Sequence, residues 1–527
     1  MTAKLFNRAD REQMERLGIP EAAALRQLAI FTKGPSRLTL HRPCTIGDGI
    51  EVLTDDDHER LLARWNDAAN QGRLSEFIPA SGAATRLFAF LERVRKRSQR
   101  VNSTRTTNGQ GDADRDHRDL QRFINSLEEF ALFEPLAQAM AAKEMSLQEM
   151  LVAGEYTEIL NCLLEPQGLN YGSLPKVLIP FHRYPDHNRT PLEEHLTEAN
   201  ETVRDSKQRS RVHFTVAPES EEKVRNHAQE AAAKRGKLLG VSFQLSISIQ
   251  TLATNTIAVD LLNQPFRRPD GDLLFRPGGH GALLENLNQL HGDIVFIKNV
   301  DNVVTDEHRD LVVHYRRLLA GKLLEVQDVI FHYLRLLHSH TVSPGELDEM
   351  VEFVAHRLNV SLSEDFPSLG EAEKVSLLFQ QLNRPLRVCG MVKNRGEPGG
   401  GPFWVQESSG RLSLQIVEGA QVDQGSPEQA AVFAASTHFN PVQLVCALAD
   451  FQGRPFDLRR FVDAEAVFIA RKSEYGGELK VLELPGLWNG SMAHWNTVFV
   501  EIPEQLFNPV KTINDLLRPG HRVEHSI

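Results

Sequence analysis

The chain has 527 residues, 41% of them hydrophobic and 24% charged, with a formal net charge of −11 from 59 basic and 70 acidic side chains. At roughly 150 residues per domain, this length allows about three domains or one large core with insertions, and the apolar content needs no disulfide or metal staple. The acidic balance argues against a protein that coats nucleic acid, and no apolar run approaches the roughly 18 residues of a membrane span.

The four cysteines, Cys44, Cys162, Cys389 and Cys446, form no CxxC pair and suit a reducing cytosol. The charged first ten residues lack the apolar core of a signal peptide, so a cytoplasmic location is expected.

Taken in chain order, apolar residues at helical spacing predict one or two helices over residues 9–30 and another over 55–70. The first strand is Glu76-Phe77-Ile78-Pro79, running into a turn of small residues at 80–86 and a helix from 87 to 94. Residues 93–119 are the most polar stretch and read as a solvated loop; the functional alternative is a basic flap over a phosphate site. Residues 120–165 are predicted helical. Strands follow at 177–180, 211–216, 242–249 and 293–298, the last a continuous apolar run suited to a buried parallel strand. Helices are predicted at 220–235 and 306–360, and strands again beyond 387, including 412–417 and 466–469. This alternation predicts an α/β fold with a mixed, mostly parallel sheet covered on both faces. The expected division is a helical segment at 1–70, a core at 71–465 with a helical and loop insertion at 88–173, and a terminal segment at 466–527.

Four stretches carry chemistry. In Ala80-Ser81-Gly82-Ala83-Ala84-Thr85-Arg86, small residues between a strand and a helix let backbone N–H groups approach a phosphate, and Arg86 adds a permanent charge. A plain tight turn is the competing reading. Lys176, beside a short apolar run, can place an ammonium on a phosphate; the bland reading is a surface lysine. Gly278, Gly279 and Gly281 around His280 give a backbone able to lie against a ring or phosphate, or simply a loop. Asp301, with Asn302, follows the apolar strand where open α/β sheets bind ligands. Its carboxylate can hold Mg²⁺ or cap a turn.

In this order the four stretches resemble the sugar-nucleotide pyrophosphorylases, nearest the UDP-sugar and UDP-N-acetylhexosamine branch. The Thr85-Arg86 end of the small-residue loop, Pro175-Lys176, residues 277–281 and Val300-Asp301-Asn302 match that family's motifs. The whole chain also resembles a bacterial family catalogued as a domain of unknown function, through Leu487-Trp488-Asn489-Gly490-Ser491-Met492 and Phe507-Asn508-Pro509-Val510-Lys511-Thr512. The resemblance implies a Rossmann-like, GT-A-like nucleotide-diphospho-sugar transferase fold. It implies a nucleotidyltransferase that joins a nucleoside triphosphate, UTP favoured, to a sugar 1-phosphate and releases pyrophosphate. Arg86, Lys176 and Asp301 would be catalytic, with Mg²⁺ on Asp301. Ala80, Ser81, Gly82, Ala83, Thr85 and residues 278–281 would bind nucleotide, and Asn302, Glu418 and Asn440 substrate. No nucleic-acid or membrane partner is implied. Asp450 and Asp463 are the candidates for a second metal carboxylate.

Two other readings remain: a glycosyltransferase of the same fold, and a non-catalytic nucleotide- or sugar-binding protein. The HRDL sequences at 117–120 and 308–311 lack the other kinase elements and read as helical surface charge. Trp488 and Trp495 could stack on a sugar or base, although packing is their commoner use.

Overall fold

A computed structural model of the chain describes residues 5–82, 84–100, 110–290, 292–363, 365–396, 399–407 and 409–523. The chain divides into two compact units: Met1–Phe77, Ile249–Ile297 and Tyr315–Glu504 form the first; Ile78–Ser248, Lys298–His314 and Gln505–Ile527 form the second.

The first unit is built on a mixed, mostly parallel sheet. Its strands run in the order Thr45–Ile46, Gly49–Glu51, Asn496–Glu501, Leu386–Lys393, Gln443–Ala447, Ile294–Lys298 and Leu74–Pro79. Leu386–Lys393 runs parallel to Asn496–Glu501 and antiparallel to Gln443–Ala447, while Ile294–Lys298 and Leu74–Pro79 are parallel. Every residue of Ile294–Lys298 is buried, as its continuous apolar run predicts for a strand covered on both faces. Cys389, Met391, Phe77, Val295 and Phe499 pack into one core with Leu283, Leu287 and Trp495. A three-stranded antiparallel sheet, Thr39–Pro43 with Gly401–Gln406 and Leu412–Val417, completes the β-structure on which Glu418 is carried.

Helices begin where the sequence supplies caps. Asn7 with Asp10, and Thr54 with Asp57, form capping boxes at the starts of Arg8–Leu17 and Asp55–Asn70. The first two helices, Arg8–Leu17 and Glu21–Lys33, bury Met14, Leu28 and Phe31 against Ile257, Val259, Leu273 and Leu482.

The second unit contains the strand Arg209–Val216, next to Ser242–Ile249, and a helical group inserted after residue 88. Helices Ala89–Arg100, Gln110–Asn125, Phe133–Ala141, Leu147–Ala153 and Tyr156–Leu164 share a core of Leu91, Phe123, Phe130, Leu136, Leu163 and Ile179. A single loop over 93–119 is therefore not what forms. Both of its described flanks are helical, because the charges pair across them: the Arg93 guanidinium reaches the buried Asp116 carboxylate at 2.6 Å and Arg97 reaches it at 3.0 Å. Residues 101–109 lie outside the described chain. The run at 177–180 is also not a strand. Lys176–Leu178 is a 3₁₀ turn between Pro175 and Pro180, a length and flank that leave no ladder to join. Further along, the Lys298 ammonium is buried against both oxygens of Glu198, at 2.7 and 2.8 Å, on the capped helix Pro191–Thr202. Among the described residues no helix is long and apolar enough to cross a membrane.

The helix Asp306–Ser339 meets Asp55–Asn70 at Gly321, where an added Cβ would stand 2.1 Å from the Leu61 carbonyl oxygen. Arg317 lies over the Trp65 ring at 4.4 Å on the same contact. Alanine in place of a mid-helix glycine ordinarily adds about 1 kcal/mol of stability. Here overpacking, at about 1–3 kcal/mol or more, outweighs that gain. Gly321→Ala is expected to lower the midpoint of chemical denaturation; a raised midpoint would show the contact to be loose.

Candidate functional site

In the parallel pair, Phe77 stands opposite Ile297, and the chain then passes from both strand ends into the second unit. This is how residues 80–86 and Asp301 come to belong to one unit. Ala80 donates its N–H to the Thr215 carbonyl at 2.8 Å, and Ala84 to Leu174 at 3.4 Å, which brings the small-residue turn beside the segment that carries Lys176. A Cβ at Gly82 would meet nothing within 4 Å and its φ is not positive, so neither packing nor backbone geometry requires glycine there. An open backbone face is what that position offers. Arg86 is exposed, at the end of the 3₁₀ turn Ala84–Arg86, with a guanidinium that makes no ion pair among the described residues; Ala83 lies outside them.

Lys176 and Asp301 are brought together. The ammonium donates to Asp301 Oδ2 at 2.8 Å and to the Val510 carbonyl at 2.8 Å, with both side chains largely buried. Asp301 Oδ1 keeps no hydrogen bond among the described residues. One carboxylate with a free oxygen, next to a turn of open amides, fits a magnesium ion that takes its remaining ligands from phosphate and water. Asn302 is committed elsewhere: its amide donates to Leu506 and accepts the Asn508 N–H at 2.8 Å, which pins the terminal segment. Val510 N–H returns to the Asp301 carbonyl at 3.2 Å. The sequence reading assigns Val510 no role, although it lies in the 507–512 stretch that carries the family resemblance and follows the turn-forming Asn508-Pro509 pair.

The other predicted residues lie in the first unit, and several are neighbours there. His280 begins a 3₁₀ turn, accepts the Leu487 N–H at Nδ1 at 3.1 Å and stacks on Trp488 at 4.3 Å between ring centroids. That bond leaves Nε2 as the protonated nitrogen of the neutral ring. Burial pushes the His280 pKa down to about 4. The glycines beside it are demanded by the protein itself. A Cβ at Gly281 would fall 2.1 Å from the Pro485 carbonyl oxygen, and Gly279, at φ +74°, would meet Glu483 at 2.9 Å.

Glu418 follows the strand Leu412–Val417, and burial, then the nearby Glu483 charge, raises its pKa. Gly400 lies close to both Glu418 and the Asn489 amide, and its carbonyl accepts the Asn440 N–H at 2.8 Å. Asn440 and Asn489 each spend one end of their amide on the backbone, at Val442 and Ile416 respectively. The other ends, Asn440 Nδ2 and Asn489 Oδ1, are buried without a hydrogen-bond partner among the described residues. A buried orphan donor and a buried orphan acceptor near a carboxylate are what a polyhydroxylated ligand would satisfy. Sequence reasoning missed Glu483 and Asn489; the Pro-Gly-Leu-Trp-Asn-Gly run at 485–490, packed against a glycine-rich partner, was the available signal. Asp450 is occupied by its own turn and Arg454, and Asp463 accepts the Glu465 N–H.

These features define a mixed α/β protein that carries a small-residue turn and a lysine-paired carboxylate in one unit and a polar cradle in the other. The chain belongs to the family described as a domain of unknown function, DUF4301, whose model matches residues 7–522. No curated protein matches it. Among solved structures it is similar to the UDP-N-acetylglucosamine pyrophosphorylase of Trypanosoma brucei, with 12% identity over 97% of this chain and 79% of that one and a TM-score of 0.48. It is also similar to a UDP-glucose pyrophosphorylase variant from Leishmania major in complex with UDP-glucose, with 11% identity over 97% and 77% of the two chains and a TM-score of 0.43. A UDP-glucose phosphorylase from Trypanosoma brucei matches with 12% identity over 98% and 80% and a TM-score of 0.44. Likeness at this level leaves the chemistry to be argued from the residues.

The buried neutral His280 has a measurable consequence. The unfolded ring takes up a proton near the ordinary 6.5, whereas the folded ring does so only at about 4. Its contribution to stability is therefore complete above 6.5 and is lost as pH falls toward 4. His280→Gln is expected to lose less melting temperature than the wild type between pH 7 and pH 4; equal losses would contradict the assignment.

Proposed function

We propose that this protein is a sugar-1-phosphate nucleotidyltransferase, joining a nucleoside triphosphate, UTP favoured, to a sugar 1-phosphate with release of pyrophosphate. We assign its sheet to the GT-A-like nucleotide-diphospho-sugar transferase type and its location to the cytoplasm. The observation that supports this reading most is the gathering of residues 80–86, Lys176 and Asp301 within one unit, although they lie far apart in sequence.

The chemistry is an in-line attack of a sugar-phosphate oxygen on the α-phosphorus, which needs positioning and charge neutralisation rather than a covalent nucleophile. Backbone amides of Ser81, Gly82 and Thr85, from the turn at 81–85, and the Arg86 guanidinium hold the β and γ phosphates. Mg²⁺ at Asp301 supplies charge neutralisation when bound. Lys176, already on that carboxylate, adds its charge at the reacting phosphate. Asn302 keeps Asp301 in place by fastening the segment behind it. Residues 278–281 flank the nucleoside, with the neutral His280 ring held edge-on by Leu487 and face-on by Trp488. Glu418 and Asn440, with Asn489, bind sugar hydroxyls.

One observation favours a second reading. The Asp301 carboxylate is engaged by Lys176 in this state, as suits a protein that binds nucleotide without turning it over. A single experiment separates the two: purified protein, a panel of nucleoside triphosphates and sugar 1-phosphates with Mg²⁺, and detection of pyrophosphate. Release with at least one pair is expected. Asp301→Asn should lower kcat by about 10²–10³-fold, the usual loss for a group that stabilises transition-state charge. Glu418→Gln should raise the KM for sugar phosphate by about tenfold with kcat little changed. Nucleotide-induced thermal stabilisation without pyrophosphate would establish the second reading. Consumption of a nucleotide sugar without pyrophosphate would mark a glycosyltransferase, and no response to any nucleotide would end both proposals.

A further inference from the structure

The first unit holds a cavity of about 720 Å³, within the range typical of small-molecule sites. One wall is a stripe of the helix Glu21–Lys33 that includes Ala23, Arg26, Ile30 and Lys33, and the facing wall includes Val467 and Leu482. The spacing of 23, 26, 30 and 33 places these four on one face of the helix, while Ala24, Leu28 and Phe31 are buried in the core. The small Ala23 side chain helps to leave the space open.

Two of the three lining cations are already paired. Lys33 pairs with Glu465 at 3.3 Å, and Arg459 pairs with Asp457 at 2.7 Å while lying in the field of Glu285. Arg26 makes no ion pair or hydrogen bond among the described residues. An apolar chamber with one uncommitted guanidinium is complementary to an organic anion with an apolar body.

The cavity borders the candidate site and shares the backbone of Gly281 with it, but none of its polar side chains. Gly281, Ala282, Leu484 and Pro485 line it, whereas His280, Glu418, Asn440 and Trp488 do not. The backbone at Gly281 is pressed against the Pro485 carbonyl, so a molecule touching both segments braces the loop that carries His280.

We propose that this cavity is a second small-molecule site, specific for an aryl- or acyl-carboxylate held by Arg26, and that its occupancy stiffens residues 281–284 and 482–484. The site stands on the cavity and its charges and does not depend on the nucleotidyltransferase reading.

The test uses the full chain and two probes of nearly equal shape, 4-phenylbutyrate and the uncharged 4-phenyl-1-butanol, titrated by calorimetry. The carboxylate is expected to saturate a single site with a Kd on the order of 1 mM or tighter, as its number of heavy atoms allows. It should bind at least about tenfold more tightly than the alcohol, the usual worth of one charge-assisted bond. Arg26→Gln should bring the carboxylate down to the level of the alcohol and leave the alcohol unaffected. Ala23→Trp should exclude both probes. Amide hydrogen exchange should slow at 281–284 and 482–484 when the carboxylate is bound. No saturable binding to the wild type, equal binding to Arg26→Gln, or protection confined to other segments would each overturn the proposal. Arg26 is exposed, so that variant decides the matter even if Ala23→Trp does not fold.

Discussion

The segment at 505–521 ties together nearly everything that positions Lys176, Asp301 and the small-residue turn. Asn302 grips it at Leu506 and Asn508, and Lys176 and the Asp301 backbone hold it at Val510. Ile513 N–H reaches the Leu87 carbonyl just after the small-residue turn, and Thr305 N–H reaches Gly520. His521 then closes the row, with Nδ1 2.9 Å from Nε2 of His182, whose other nitrogen sits 2.8 Å from Glu194. Burial holds the His521 pKa well below its usual value, so this link is made by a neutral ring. Remove the strap and the Asp301 backbone, the Asn302 amide and the His182 ring all lose partners in a buried setting, at about 1–3 kcal/mol for each group left unsatisfied.

A second theme is how each unit keeps polar groups in unfavourable surroundings. Lys298 with Glu198 is nearly sequestered from solvent, and the Arg189 guanidinium rests over the Tyr184 ring at 4.0 Å while bonded to Asp306. Burial works against ionisation of Asp306, yet Arg189 and Arg309 outweigh it and bring its pKa to about 2. These charges are compensated. Glu418 carries a raised pKa beside Glu483, and Asn440 Nδ2 and Asn489 Oδ1 are buried without a hydrogen-bond partner among the described residues. Arg387 belongs to the same neighbourhood through its bond to the Trp488 carbonyl at 2.7 Å, so the aromatic partner of His280 is anchored from the sheet.

Much of this architecture was legible in the amino acids. The helix at 55–70, the apolar strand at 293–298 and the strand at 412–417 are local patterns, and they form where periodicity places them. The pairing of Lys176 with Asp301 was not legible, because a contact between positions 125 residues apart leaves no local trace; only the order of motifs brought the two to notice. The polar stretch at 93–119 misled for an electrostatic reason. Its acids and bases looked like solvated surface, whereas Asp116 is buried and neutralised by Arg93 and Arg97. The glycines at 278–281 were read for what they offer a ligand, and the structure gives them a packing duty against 483–485 that no single-stretch reading contains.

The strap also sets an order of events during synthesis. The second unit is assembled from three stretches of chain, and the whole of Tyr315–Glu504 is translated between the last two. Asp301 therefore leaves the ribosome long before Val510 and His521 exist to receive it. The helices after residue 88 can begin to collapse on their local contacts, while the surroundings of Asp301, and the part of that helical core supplied by Val510, Ile513 and Leu516, must wait for a loop closure across the entire intervening sequence, a slow and entropically costly step. The setting of Asp301 is thus completed last, after the rest of the protein has already taken shape.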